Sequence, residues 1–348
     1  MCGYVYSLKQ GCFSPVDLYE STLKMADVGC SQTWEELKLT WETRKEVPSQ
    51  WMWRGAAVAH GTLAYFNSYV HSHEVFAYNS EKDEWSKLPK CPQRNFGLAV
   101  INNHLTAVGG TSQSGGCTDH LISFNGSTDK WEKIFPPMPT KRLLPTVIST
   151  QKYLITAGGE QGENNFSTVE LMDMNTLEWY TAARLPEPVD NMSATICGGR
   201  LYLLGGLDTD GSPTHAVFTC TIDSLVSSCH PSSQTPPHTS ETSVWKRVAD
   251  VPLRGSTCTT LNGRVLAIGG YDSDGAVSAA VHMYDAKSDK WHLMGHMPTA
   301  RSNCLVVALH NRIITVGGNT GFVAAAVSTV QICSIVELGG EGVQFPIS

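Results

Sequence analysis

Five times in this chain an apolar run ends in a pair of glycines. The pairs stand at 109–110 (HLTAVGG), 158–159 (YLITAGG), 205–206 (LYLLGG), 269–270 (VLAIGG) and 317–318 (RIITVGG), spaced by 49, 47, 64 and 48 residues. A weaker copy, GTLAYFNS at 61–68, lacks the glycines. A tryptophan follows each pair except the last, at Trp131, Trp179, Trp245 and Trp291, and Trp85 serves the weaker copy. Self-similarity at a fixed period of this size marks a chain built from repeated supersecondary units.

Each unit divides into four strands. An apolar run such as GLAVIN (97–102) comes first, then the run that ends in Gly-Gly. An alternating segment such as EVFAYNSEKDEW or AVHMYDAKSDKW supplies the third strand and leads to the Trp that opens the fourth. The second strand is apolar at nearly every position, so both its faces are buried, whereas the fourth alternates and has one wet face. That gradient describes a small sheet wedged between two like neighbours. The glycines permit positive φ and close backbone approach, and the Trp is a broad slab that packs on the adjacent unit.

Gly-Gly, then Tyr-Asp or a relative, then Trp resembles the kelch repeat, whose arrays form β-propellers with a period of about 50 residues. The resemblance covers about residues 50–336. It departs in the first copy (no Gly-Gly), in the fourth, with TCTI at 219–222, and in the sixth, which has Ile332-Cys333 and no Trp. The expected fold is all-β, a six-bladed propeller of four-stranded kelch blades. The sixth blade lacks a fourth strand, and open sheet edges are costly. The spare strand LKLTWETRKEV (37–47) is expected to close the ring, with Trp34 as the alternative to Trp41 for its tryptophan. The expected layout is an extension over 1–32, the propeller over 33–336 and a tail over 337–348. Within the extension, 14–28 reads as a short helix, with Ser14 as N-cap and Gly29 as stop. The Ser/Thr/Pro-rich stretch 224–242 reads as a flexible insertion and explains the spacing of 64.

Composition narrows the function. Only 16% of residues are charged, the formal net charge is −7, and there are 31 Gly and 17 Pro. No Lys/Arg-rich stretch stands out, so neither nucleic acid nor an anionic membrane is an expected partner. No apolar run approaches the ~20 residues that span a bilayer, and the N-terminus has no apolar core of a signal peptide. The 11 cysteines are odd in number and form no C-x-x-C, which suggests free thiols in a reducing compartment, the cytoplasm. No phosphate loop and no zinc quartet is legible, and no metal or other cofactor is expected. His71 and His73 lack a third ligand, and the Asp-x-Asp-Gly segments at 208 and 272 read as turns rather than calcium loops.

An Arg stands in the turn into the first strand of five of the six units: Arg54, Arg94, Arg142, Arg254 and Arg301. The remaining turn, LPEPVDNM (185–192), offers Glu187 and Asp190. In a propeller these turns share a face with the loops after the glycine pairs, which carry Glu160, Glu163, Asp208, Asp210, Asp272 and Asp274. An arginine ring suits bidentate capture of carboxylates on a partner's acidic segment. Equally, such arginines belong to the kelch consensus and pair with the loop acids. Trp51 and Trp53 flank the first Arg as hot-spot residue types or as cover for the ring closure. The resemblance implies a non-catalytic protein-binding adaptor or scaffold, in the setting of a ubiquitin ligase or the cytoskeleton. It also extends to sugar-modifying enzymes built on kelch propellers and to actin-associated scaffolds, and the sequence names no partner.

Overall fold

The computed structural model describes residues 37–49, 54–68, 73–162, 164–231, 244–321 and 327–337. Residues 1–32 constitute a unit apart from 33–348. The helix expected over 14–28, Trp34, Trp51, Trp53 and nearly all of the C-terminal tail lie outside the described residues.

Six antiparallel sheets of four or more strands follow the repeat. Blade one begins Ala57–His60, blade two Gly97–Ile101 and blade three Thr146–Ser149. Blade four begins Ser193–Cys197, blade five Thr257–Leu261 and blade six Leu305–Leu309. These innermost strands contact one another in turn, and that of blade six contacts that of blade one, so the ring is closed. The last blade takes its outermost strand from the other end of the chain. Leu37–Arg44 pairs antiparallel with Val330–Glu337 along its whole length, from Leu37 opposite Glu337 to Arg44 opposite Val330.

Six separate apolar clusters fill the spaces between adjacent blades. Phe96, Leu98 and Val75 pack between blades one and two; Phe66, Tyr78, Ile314 and Ile332 pack across the closure between six and one. The tryptophans tie neighbours together by direction as well as area. The indole N–H of Trp85 donates to Lys45 O (3.2 Å), Trp131 to Pro89 O (2.8 Å), Trp245 to Ala183 O and Trp291 to Ala249 O (both 2.9 Å). Each acceptor lies on the chain leaving the preceding blade. Where the repeat keeps Tyr and Asp, Tyr78 and Tyr284 donate at 2.7 Å to Asp83 and Asp289. Those carboxylates also accept from the backbone of the previous blade, at Lys45 N and Ala249 N.

Close approach accounts for the second glycine of each pair. A Cβ on Gly110 would lie 2.4 Å from Arg94 O, on Gly206 2.4 Å from Asp190 O, and on Gly159 2.6 Å from Leu143 O. Blade one keeps the approach by moving the glycine to the opposite side. A Cβ on Gly55 would lie 2.0 Å from Asn67 O; by strand pairing Asn67 stands where blade two has Val108, and Ser68 takes the place of the first glycine. The Asn67 side chain then fills the turn, accepting from Ala56 N at 2.8 Å and donating to Phe96 O at 3.1 Å.

The stretch 224–242 is not wholly a loose loop. Ile222–Ser227 forms a helix whose N-cap, Thr221, accepts from Ser224 N. Leu225 is 0% exposed and joins the core between blades three and four. Beyond it, His230 and Pro231 pair with Thr181 and Tyr180, adding a fifth strand to the outer edge of blade three. Burying Leu225 and covering an open edge outweigh the Ser-rich composition that pointed to a loop. Residues 232–243 lie outside the described residues.

Candidate functional site: the loop rim

The turn into each innermost strand meets the loop after the glycine pair through a single bridge. Arg94 pairs with Thr111, Leu143 with Glu160, Asp190 with Leu207, Arg254 with Tyr271, and Ser302 with Asn319. These residues stand three positions ahead of their strands; Arg54 is offset by one and itself takes the left-handed position of its turn, with φ of 45°. The residue after each bridged position is left-handed: Asn95, Leu144, Asn191, Gly255 and Asn303 have φ of 56°, 48°, 49°, 64° and 51°. Successive turns are stitched by Leu144 N donating to Asn95 O (3.3 Å), Asn303 N to Gly255 O (2.9 Å) and Arg54 N to Asn303 O (3.0 Å).

This register divides the five arginines. Arg142 and Arg301 stand one residue earlier, four ahead of Thr146 and Leu305, and turn inward. Both are 0% exposed. Arg142 donates to Gly158 O (2.7 Å), Thr168 O and Thr168 Oγ1, and its guanidinium lies 2.9 Å from the buried Glu170 carboxylate. Thr140 donates to the same carboxylate. Arg301 donates to Gly317 O (2.9 Å), Thr329 O (3.1 Å) and Thr329 Oγ1 (2.8 Å). Blade six replaces the carboxylate with Gln331, which donates to Thr299 Oγ1. Burial pushes both guanidinium pKa values down, opposed at Arg142 chiefly by Glu170. The expectation that Arg142 and Arg301 meet a partner is therefore corrected. Their donors serve the carbonyls freed at the glycine turns, and no face of either reaches solvent. The difference is legible in spacing: both follow their Pro by three residues (MPTKR, MPTAR), whereas Arg94 and Arg254 follow theirs by two (CPQR, VPLR).

Arg54, Arg94 and Arg254 are half-buried on the rim. The Arg254 guanidinium sits 5.5 Å from the Tyr271 ring centroid and donates to Asp272 O at 3.2 Å. Stacking holds the planar group against the loop and leaves an edge to solvent. The Arg94 guanidinium has no hydrogen-bond or ion-pair partner among the described residues. A cavity of about 90 Å³ opens among Arg54, Asn191, Leu207, Ser256, Tyr271 and Asn303, bringing blades one, four, five and six to one place.

Asp190 holds the bridged position that carries Arg in blades two and five. It is 4% exposed, and its Oδ1 is buried without a hydrogen-bond partner. Burial pushes its carboxyl up to about 6, the Glu160 carboxylate adds to the rise, and the Arg54 guanidinium opposes it. Burial raises Glu160 as well. The rim is thus two-signed, cationic at Arg54, Arg94 and Arg254 and acidic at Glu160 and Asp190. Sequence reasoning noted Asp190 only as a gap in the arginine series; its burial follows from the turn geometry. Asp208 and Asp272 instead cap their own loops, accepting from Asp210 N and Ser212 N, and from Asp274 N and Ala276 N. That supports their reading as turn residues.

Comparison with known proteins agrees with this architecture. Residues 95–318 match the profile described as the KLHDC2/KLHL20/DRC7 Kelch-repeats domain. The chain is 22% identical over 252 residues to Kelch repeat and BTB domain-containing protein 1 of cowpox virus (strain Brighton Red), covering 70% of this chain and 41% of that protein. It is 25% identical over 247 residues to Kelch-like protein 35 of Mus musculus, covering 70% of this chain and 38% of that protein. The matched region thus spans less than half the length of either relative. The solved structure titled "Structure of YjhT" superposes with a TM-score of 0.67 at 16% identity, covering 84% of this chain and 99% of that one.

Proposed function

The chain belongs to the kelch-repeat family of propellers, and from that premise we propose that it is a protein-recognition module whose loop rim captures an acidic segment of a partner. The observation that carries the reading is that three different blades place a half-exposed guanidinium on the rim. Arg94 and Arg254 share the bridged position three residues ahead of the innermost strand, while Arg54 stands one position along in its own turn. Core packing places no demand for charge there: the equivalent positions in blades three and six hold Leu143 and Ser302. Guanidinium groups fixed by stacking, as Arg254 is on Tyr271, lose little freedom on meeting a carboxylate. Asp190 and Glu160 oppose an acidic ligand on their side of the rim, which confines capture to the arc of blades five, one and two. Trp51 and Trp53 remain part of the proposal as apolar neighbours of Arg54.

Selection of displayed random peptides against the purified chain tests this. Enriched sequences should be rich in Asp and Glu. Their affinity should fall about tenfold with Arg254→Gln or Arg94→Gln, each lost charge-assisted bond being worth about 1.5 kcal/mol or more. Binding should also weaken with added salt. Enriched peptides without acidic residues, or affinities unmoved by both substitutions, would remove the rim from the interface.

A further inference from the structure

Between the loops of blades one and two, a second cavity of about 230 Å³ is lined by His73, Lys90, Cys91, Arg94, Ser112 and Gln113. None of these six is acidic. The adjacent carboxylate of Glu74 is committed to Lys87. His73 Nδ1 lies 2.8 Å from Cys91 O and 3.0 Å from Gln93 O. Carbonyl oxygens only accept, so Nδ1 carries a proton and Nε2 is the nitrogen left for a ligand. Arg94 brings a guanidinium with no partner among the described residues, Lys90 an exposed ammonium, and Gln113 an exposed amide. The Ser112 hydroxyl is 2.8 Å from that of Ser114, so the pair has one hydroxyl proton left to donate.

We infer that this cavity binds a phosphate monoester carried on a side chain of the partner, a phosphoserine or phosphothreonine. The donor count separates it from a carboxylate site. A carboxylate has two coplanar oxygens, and one guanidinium edge satisfies both. Here a guanidinium, an ammonium, an amide and a hydroxyl line one space, more donors than two oxygens can accept. A phosphate monoester has three terminal oxygens and close to two negative charges at neutral pH, so it can meet Arg94 and Lys90 at once. This deepens the proposed rim function, since Arg94 belongs to both, and places a phosphorylated residue between the loops of blades one and two.

The test uses the whole chain and three small probes at low salt: N-acetyl-O-phosphoserine amide, N-acetyl-glutamate amide and inorganic phosphate. Binding is followed by calorimetry and by NMR shifts of the His73 imidazole. The expected result is millimolar binding of the phosphoserine probe, at least about tenfold tighter than the glutamate probe. Arg94→Gln and Lys90→Glu should each weaken it about five- to tenfold with the melting temperature unchanged, and Arg254→Gln should leave it intact. Equal affinity for glutamate, no shift of His73, or indifference to both substitutions overturns the inference. Inorganic phosphate binding as tightly as the phosphoserine probe overturns the assignment to a partner side chain. Failure here with acidic peptides still dependent on Arg254 leaves the rim function standing, and the converse result leaves only the phosphate site.

Discussion

Replacing Asp190 with asparagine should stabilise the protein at neutral pH. The carboxylate is 4% exposed and one of its oxygens has no hydrogen-bond partner. Burial and Glu160 raise its pKa from 3.8 to about 6. A carboxyl whose pKa is higher in the folded than in the unfolded chain binds protons more readily when folded. Its ionisation therefore costs stability as pH rises from about 4 through 6, and the whole penalty is present at pH 7.5. The full shift corresponds to about 3 kcal/mol, and solvent screening at the channel mouth brings the expected penalty to about 1–2 kcal/mol. Asparagine keeps the shape and removes the charge. Urea unfolding of both proteins at pH 7.5 and pH 4.5 measures the effect. Asp190→Asn should be more stable at pH 7.5, and the gain should shrink to about a third at pH 4.5, where the native carboxyl is protonated but the unfolded one is still largely ionised. A variant less stable than wild type at pH 7.5, or a difference that ignores pH, would refute the reasoning and show that Asp190 has compensating bonds.

Other perturbations have clear outcomes. Arg142→Ala leaves Glu170 buried and unpaired and should cost about 3–5 kcal/mol, whereas Arg94→Ala should cost under about 0.5 kcal/mol in the same denaturation assay. Gly206→Ala forces a Cβ to within 2.4 Å of Asp190 O and should cost more than about 2 kcal/mol. Gly211→Ala, with open space around it at φ +72°, should cost about 1 kcal/mol. Leu225→Ala should cost about 2–4 kcal/mol, which a loose loop would not show. Removing residues 1–48 should abolish the cooperative melting transition by exposing the edge of Val330–Glu337.

Much of the fold was legible because the repeat writes its geometry in residue types few alternatives can replace. Gly110, Gly159 and Gly206 approach carbonyls too closely for any Cβ, and the Trp indoles need both a slab's area and an N–H. Gly55 was not legible, because its role depends on an atom opposite that only the folded pair brings near. The helix at Ile222–Ser227 is six residues long with one buried Leu, too short for periodicity to register against its serines. The arginines show a different failure. A charge in an equivalent turn was read as an equivalent side chain, yet one residue of register separates a rim guanidinium from one sealed behind the glycine turn. The Pro-to-Arg spacing held that distinction, and the buried carboxylate at Asp190 needed the structure.

The bond from the Thr40 hydroxyl to Ser334 O joins residues 294 positions apart. During synthesis, Leu37–Arg44 leaves the ribosome among the first described segments, and its mate, Val330–Glu337, among the last. At ~5–20 residues per second the early strand waits tens of seconds for it. Blades one to five can form in order meanwhile, each against its predecessor, but the arc stays open at both ends until the final strand arrives. Translation speed and any factor shielding strand edges should therefore govern the yield of closed rings more than the stability of an individual blade. A second nascent chain nearby could supply the missing strand in trans, so linked, strand-exchanged rings are the misassembly to look for when this chain is made at high density.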